Sequence, residues 1–425
     1  MFSFNKTCAI ALWSFLPLLS IAGDLSVGGY CKSFFSAHNI PRVETPYDDP
    51  IDFSSYGIAL NRVRVNIDYK LSDRVLFSTS YDFITRIHDD NQFPGYFMTS
   101  PLEYNSQSYR LDDIDQLLYP SSPDDPGNFK IYQNLDRLNL SVSLPLADII
   151  LGRQAVAWGA ARVVNPTDVI APYAYQELDT EDRIGVDAAR LRIPLGFMSE
   201  IDAGYIFGDK ARFENSAVFL RSKFYLAKTD ISASLVGFRE HLLLGLDLAR
   251  SVGGAGVWAE GAYVFNKALS EHQRNNAYDY FRLSVGGDYS LTGRLYGFIE
   301  YHFNGAGKSD ADEYSTLNTH PAYTDGATYL FGRHYLTPGA SYQLTPLITV
   351  GGEALCNLND PSVLLSLRGE YNIAQNVYLS VGAFIGLGDN PYLRFSDESL
   401  LFAGYVRSEF GAYTDIMFSS FRFYF

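Results

Sequence analysis

From Gly23 onward the chain is built of segments, roughly nine to thirteen residues each, in which apolar and polar positions alternate. A period of two is the signature of extended strand, because successive side chains point to opposite faces. From Arg62 to Leu71, the residues Val63, Val65, Ile67, Tyr69 and Leu71 face one way, and Arg62, Arg64, Asn66, Asp68 and Lys70 the other. In 282–290, Leu283, Val285, Gly287 and Tyr289 alternate with Arg282, Ser284, Gly286, Asp288 and Ser290. In 364–372, Leu365, Leu367, Gly369 and Tyr371 alternate with Ser366, Arg368, Glu370 and Asn372. Alternation alone leaves the sense of the faces open. A soluble sandwich turns the apolar face inward, whereas a membrane barrel turns it to lipid and the polar face to its lumen.

The connections decide between the two. Every second one is a tight turn: Ser72-Asp73, Leu146-Ala147, Gly196-Phe197, Lys228-Thr229, Gly253-Gly254, Thr292-Gly293, Thr345-Pro346 and Gln375-Asn376. Those between are mostly longer, up to the stretch His88–Lys130. Outer-membrane barrels sort their loops in this way, with short periplasmic turns and long external loops. The expected fold is therefore all-β, a transmembrane antiparallel β-barrel of about 18 strands, with about 16 as the alternative count. Strands are expected to begin near Leu25, Tyr56, Arg74, Ile131, Asp148, Gly185, Ser199, Ala217, Thr229, His241, Ala255, Tyr280, Gly293, His334, Pro346, Pro361, Asn376 and Thr414. Composition agrees. Aromatics make up 15% of the chain, with 31 Tyr and 30 Phe beside 35 Gly, as suits short strands with aromatic ends.

The N-terminus gives an address. Lys6 precedes an apolar stretch from Cys8 to Leu19, interrupted by Pro17, and Ser20-Ile21-Ala22 fits a small-residue cleavage site. Residues 1–22 are thus expected to be a signal peptide and 23–425 a single barrel domain. Beyond that leader no run of about 18 uninterrupted apolar residues exists, so no transmembrane helix is expected. The formal charge of -15 excludes a nucleic-acid partner, which needs a basic surface. Cys31 and Cys356 fall on strands far apart, so no disulfide is expected; no metal-type spacing or cofactor motif occurs.

The last strand, Thr414 to Phe425, ends Phe421-Arg422-Phe423-Tyr424-Phe425. It resembles the terminal recognition signal of single-chain outer-membrane proteins. That resemblance implies integral placement in the bacterial outer membrane, with membrane lipid and the barrel-assembly machinery as partners.

A barrel of about 18 strands is too wide for its own side chains to fill, so water or a folded-in loop must occupy it. Alternation points Arg62, Arg64, Arg137, Arg190, Arg192, Arg221 and Lys223 inward on one arc. It points Asp247, Glu260, Asp288, Glu300, Glu353 and Glu370 inward on another. Asp68, Asp82, Glu200 and Asp202 share the basic arc, and Arg282 and Arg368 the acidic one. Charged rings tune which ions enter a pore, so the arginine set is expected to favour anionic solutes.

The connection 159–184 carries the most specific pattern. It follows Gly152-Arg153-Gln154 and Trp158-Gly159, and contains Asn165-Pro166-Thr167-Asp168, Tyr173, Tyr175 and Glu177-Leu178-Asp179-Thr180-Glu181-Asp182. This succession resembles that of porin-like families of Gram-negative bacteria. The resemblance implies that the loop folds inward as a constriction, with Asp168, Glu177, Asp179, Glu181 and Asp182 facing the arginines. The short acidic signature of general trimeric porins is missing, so trimerisation is not implied.

Two further loops are acidic. His88–Lys130 holds Asp89, Asp90, Asp112, Asp113, Asp115, Asp124 and Asp125 without the ligand spacing that Ca²⁺ needs, and reads as a solvated loop. Asn304–Gly332, with Asp310, Asp312, Glu313, His320 and Tyr323, reads as a surface cap. The function expected is passive passage of small polar solutes, anionic ones included. Two alternatives stand beside it: a sheath around a partner protein or exported polymer, and a barrel-wall hydrolase. His302, His334, Ser341 and Ser366 make no compact nucleophile–base arrangement, so catalysis is not expected.

Overall fold

Eighteen strands form the wall. The computed structural model describes residues 24–46, 49–89, 109–120, 127–196, 198–270, 278–326, 328–395 and 402–425. The expected signal peptide lies outside these residues. In chain order the strands are β1 (Asp24–Asn39), β2 (Tyr56–Ser72), β3 (Val75–His88), β4 (Phe129–Ser143), β5 (Asp148–Gln154) and β6 (Val186–Pro194). Then come β7 (Glu200–Phe207), β8 (Ala217–Leu226), β9 (Thr229–Phe238), β10 (His241–Val252), β11 (Ala255–Phe265) and β12 (Tyr280–Ser290). The ring is completed by β13 (Leu295–Asn304), β14 (His334–Thr345), β15 (Ile348–Asn357), β16 (Ser362–Ala374), β17 (Val377–Leu387) and β18 (Asp415–Tyr424). Each starts within two residues of where the alternation places it.

Every neighbouring pair is antiparallel, and β18 pairs with β1, Tyr424 standing opposite Tyr30. Gly29 and Phe425 exchange backbone hydrogen bonds of 2.9 and 3.0 Å. The sheet closes on itself, which satisfies the edge groups that an open sheet would leave bare.

The faces are inverted relative to a soluble protein. Val63, Leu140, Leu220, Val257, Ile299, Val381 and Phe423 are exposed on the outside. Their inward neighbours Arg64, Asp82, Asp202, Glu260 and Glu300 are buried. Such an outer surface is stable in hydrocarbon, and the charged groups it leaves for the interior need partners or water.

Loop sorting also holds. One end carries only turns of two to five residues, such as 73–74, 195–199 and 375–376. The other carries 40–55, 89–128, 155–185, 208–216, 266–279, 305–333 and 388–414. Two connections at that end are short as well, 239–240 and 358–361. Arg239 and Glu240 both have positive φ (44° and 70°), the backbone of a tight hairpin turn. Cys31 on β1 and Cys356 on β15 are free thiols.

Candidate functional site in the barrel lumen

The arginines on β2 meet acids because of strand register. Asp82 on β3 stands opposite Arg64. Arg62 binds Asp82 at 2.8 Å, and Arg64 lies 3.5 Å from it. A β-bulge in β4 adds a second acid. Ser80 pairs with Arg137 and Tyr81 with Leu135, which leaves Asp136 as the extra residue. Simple alternation would point Asp136 to lipid, since Arg137 points inward. The bulge brings both inside, where Asp136 binds Arg64 at 2.8 Å and Arg137 at 2.5 Å and accepts the Gly185 N–H at 2.9 Å.

The same pairing runs along the rest of the basic arc. Arg190 binds Asp202 at 2.6 Å, Arg192 binds Glu200 at 3.0 Å, and Arg221 reaches Asp247 at 3.4 Å. Lys223 has no ion-pair partner among the described residues, because the Glu200 carboxylate opposite it turns to Arg192. The sequence places Asp82, Glu200 and Asp202 within the basic arc, and these acids, with Asp136 and Asp247, neutralise the arginines from the same strand or from one or two strands away.

The segment 155–185 leaves β5, crosses the interior and returns to β6. Its first part docks on the far wall. Glu260 on β11 accepts the N–H groups of Ala160 (2.7 Å), Ala161 (2.9 Å) and Thr167 (2.9 Å), and the Thr167 hydroxyl (2.8 Å). Glu300 on β13 accepts from Arg162 (2.7 Å), Val163 (3.2 Å) and Val164 (2.9 Å), and from the Trp258 indole (2.9 Å). β13 is eight strands from β5 on a ring of eighteen, almost diametrically opposite. The turn that starts this docking needs a glycine. Gly159 has φ +131°, and a Cβ there would fall 2.0 Å from the Asn165 amide oxygen. The Trp158-Gly159 and Asn165 elements of the sequence pattern thus meet in one close packing.

The second part of the segment reaches β1, β2 and β18. Asp179 binds Lys32 at 2.8 Å and Arg62 at 3.2 Å. Glu181 binds Lys32 at 2.8 Å and accepts the Tyr424 hydroxyl at 2.6 Å. Asp182 accepts the Tyr30 hydroxyl at 2.7 Å and lies 3.8 Å from Arg64. The Gln176 amide donates to the Thr414 carbonyl at 2.9 Å.

Two of the five loop acids, Asp168 and Glu177, bond within their own segment. Asp168 pairs with Arg183 of its own segment at 3.2 Å, and burial raises its carboxyl to about 6. Glu177 accepts the Ala174 N–H at 3.3 Å, and burial pushes it up to about 7.

The acidic arc also divides. Asp288 pairs with Arg162 of the loop at 3.0 Å, and Glu370 on β16 with Arg368 at 3.2 Å and with Arg422 on β18. Glu353 has no ion-pair partner among the described residues. Glu260 and Glu300 serve the loop backbone and have no ion-pair partner among the described residues. Between loop residues 178–181 and the β16–β18 wall lies a cavity of about 570 Å³, lined by Arg368, Glu370, Tyr378, Arg422 and Tyr424.

The other loops are less exposed than their acidity suggests. Asp113 pairs with Arg110 and with Arg153 (2.7 Å), and Asp89 accepts the Gly57 N–H at 2.7 Å. Asp90, Asp124 and Asp125 lie outside the described residues. In the expected cap Asn304–Gly332, Tyr314, Leu317 and Ala322 are buried, while Asp310 caps the Asp312 N–H at 3.1 Å. Of the candidate catalytic groups, His302 contacts Ser284 at 2.9 Å, but the Ser284 hydroxyl donates to the Val164 carbonyl at 2.6 Å. His334 contacts Tyr301 at 2.7 Å. Among the described residues no group of three or more His, Cys, Asp or Glu is placed to hold a metal.

No family model matches the chain, and no curated protein matches it in sequence. Solved structures match it in shape. OccAB2 of Acinetobacter baumannii gives a TM-score of 0.54 at 6% identity, over 95% of this chain and 98% of that one. OccK5 (OpdH) of Pseudomonas aeruginosa gives 0.54 at 9%, over 94% and 98%. The outer membrane protein opdK of Pseudomonas aeruginosa gives 0.52 at 7%, over 95% and 98%. At these identities the shared property is the fold.

Within that fold, the residues that fix the interior include several the sequence reading passed over. Lys32 is one with a signal, since it alternates inward with Tyr30 and Phe34 on β1. Arg153, which binds Asp187 at 2.8 Å and Asp113, stood in the Gly-Arg-Gln pattern without a role. Asp136 had no signal at all.

Proposed function

We propose that the chain is an outer-membrane channel of the porin kind, passing small polar solutes, with 159–184 as its constriction. The observation that carries this reading is the double docking of that segment. Glu260 and Glu300 hold its first part on one wall, and Lys32, Arg62 and Arg64 hold Asp179, Glu181 and Asp182 on the other. A charged opening remains beside β16–β18.

In this reading the short turns are periplasmic and the long loops external. Residues 1–22 direct export, and the aromatic strand ending at Phe425 engages the assembly machinery. Arg62, Arg64, Arg137, Arg190 and Arg192 are structural counter-ions, whereas Lys223 and Arg368 are the basic groups that solutes meet. A sheath for a partner chain fits less well, because 155–185 occupies the lumen and Val164 packs with Leu330 from another long connection.

Purified barrel in a planar bilayer tests the reading. Stable conductance steps support it. Silence from protein that migrates as a folded barrel would contradict it.

A further inference from the structure

We infer that the opening between loop residues 178–181 and the β16–β18 wall is a subsite for small zwitterionic solutes, of the size and charge pattern of an α-amino acid. This rests on the channel reading above and specifies the solute class.

The charge count on the two faces carries the inference. On the wall, Arg368 and Arg422 both bind the same oxygen of Glu370, so two guanidinium groups share one carboxylate. One positive charge is left over there, and the Arg368 side chain is 48% exposed. On the loop, Asp179 and Glu181 share the Lys32 ammonium, each at 2.8 Å, and that lysine side chain is wholly buried behind them. Asp179 also has Arg62, but Arg62 is divided with Asp82. Glu181 makes no ion pair besides Lys32 among the described residues, Arg422 of the facing wall acting on it only through space, and its side chain is 43% exposed. The loop face thus offers carboxylate oxygens and the wall face offers guanidinium N–H donors.

Both faces line one cavity of about 570 Å³, within the range of roughly 300–1,000 Å³ that holds small molecules. A solute of single sign gains at one face and is repelled at the other. A dipolar solute gains at both, its ammonium toward Glu181 and its carboxylate toward Arg368. The Tyr378 and Tyr424 rings, 5.9 Å apart, add apolar surface beside these groups.

Proteoliposome swelling with the full barrel tests this, using alanine and the uncharged, size-matched lactamide at low concentration. Alanine is expected to enter severalfold faster than lactamide. Glu181→Gln and Arg368→Gln should each bring that ratio toward one, each removing one face of the pair. Equal entry of the two solutes through the unaltered barrel would overturn the subsite while leaving the channel. An unchanged ratio in both variants would also overturn it. Entry of neither solute would remove the channel reading and the subsite together.

Discussion

Glu260 holds Thr167 twice, accepting its backbone N–H at 2.9 Å and its hydroxyl at 2.8 Å through one carboxylate oxygen. The other oxygen takes the N–H groups of Ala160 and Ala161. A buried carboxylate that meets no cation is costly unless several donors converge on it. Here the donors come from a loop that has no strand partner to satisfy them, so each side removes the other's unmatched groups.

Replacing Glu300 should therefore free the segment. Glu300→Ala leaves three backbone N–H groups and the Trp258 indole without an acceptor, and bonds to a charged group contribute about 1.5–3 kcal/mol each. Single-channel recordings should show larger, noisier steps in Glu300→Ala, with Glu300→Gln in between because an amide oxygen still accepts. Unchanged step size in Glu300→Ala would show that the segment does not set the aperture.

The bulge at Asp136 makes a stability prediction. Asp136→Ala removes the one ion-pair partner that Arg137 has among the described residues and leaves Arg64 with the more distant Asp82 and Asp182, and breaking such a buried pair costs about 3–5 kcal/mol. Urea unfolding of the folded barrel should report a loss of that size. A loss below about 1 kcal/mol would mean that water replaces the carboxylate without penalty.

Selectivity should depend little on Arg190 and Arg192. Asp202 and Glu200 neutralise them, so removing each pair whole, Arg190→Ser with Asp202→Asn and Arg192→Ser with Glu200→Gln, leaves the net charge of the lumen unchanged. The anion-to-cation permeability ratio should change little there and fall in Arg368→Ser, which removes a cation that shares its only carboxylate with Arg422. The reverse order in reversal-potential measurements would return the selectivity role to β6.

The long-loop end should be pH-sensitive at Glu409, which lies outside the strands. It accepts the N–H groups of Phe331 (2.9 Å) and Gly332 (3.4 Å) and the Asn357 amide (2.8 Å), tying two long connections to the wall. Burial raises its carboxyl to about 8. A raised acid binds its proton more tightly when docked than when free. Docking is thus firmest below the ordinary carboxylate range and weakens as pH climbs through about 8. Amide exchange at Phe331 and Gly332, corrected for its intrinsic pH dependence, should accelerate from about pH 4.5 and level off above about pH 8. Glu409→Gln should abolish that acceleration, and persistence in the variant would assign it elsewhere.

Sequence pattern reached the wall and stopped short of the interior, for a physical reason. Strand period, turn chemistry and loop length are local, so β1 to β18 could be placed from them. Pairing inside the barrel depends on register between strands, which is why Arg190 and Asp202 could be pointed inward without being joined. The bulge at Asp136 inverts the alternation over a single residue, and nothing in the neighbouring sequence marks it. Glu260 and Glu300 were legible as inward acids. Their role was not, because it depends on backbone groups 93 and 136 residues away.

The central claim is that a loop docked on two walls narrows an open lumen. Planar-bilayer conductance of the purified barrel beside a Glu260→Ala, Glu300→Ala double variant tests it most directly. The account predicts discrete steps for the unaltered protein and larger steps once both anchors are gone. No conductance from folded barrel, or identical steps in the two proteins, would contradict it.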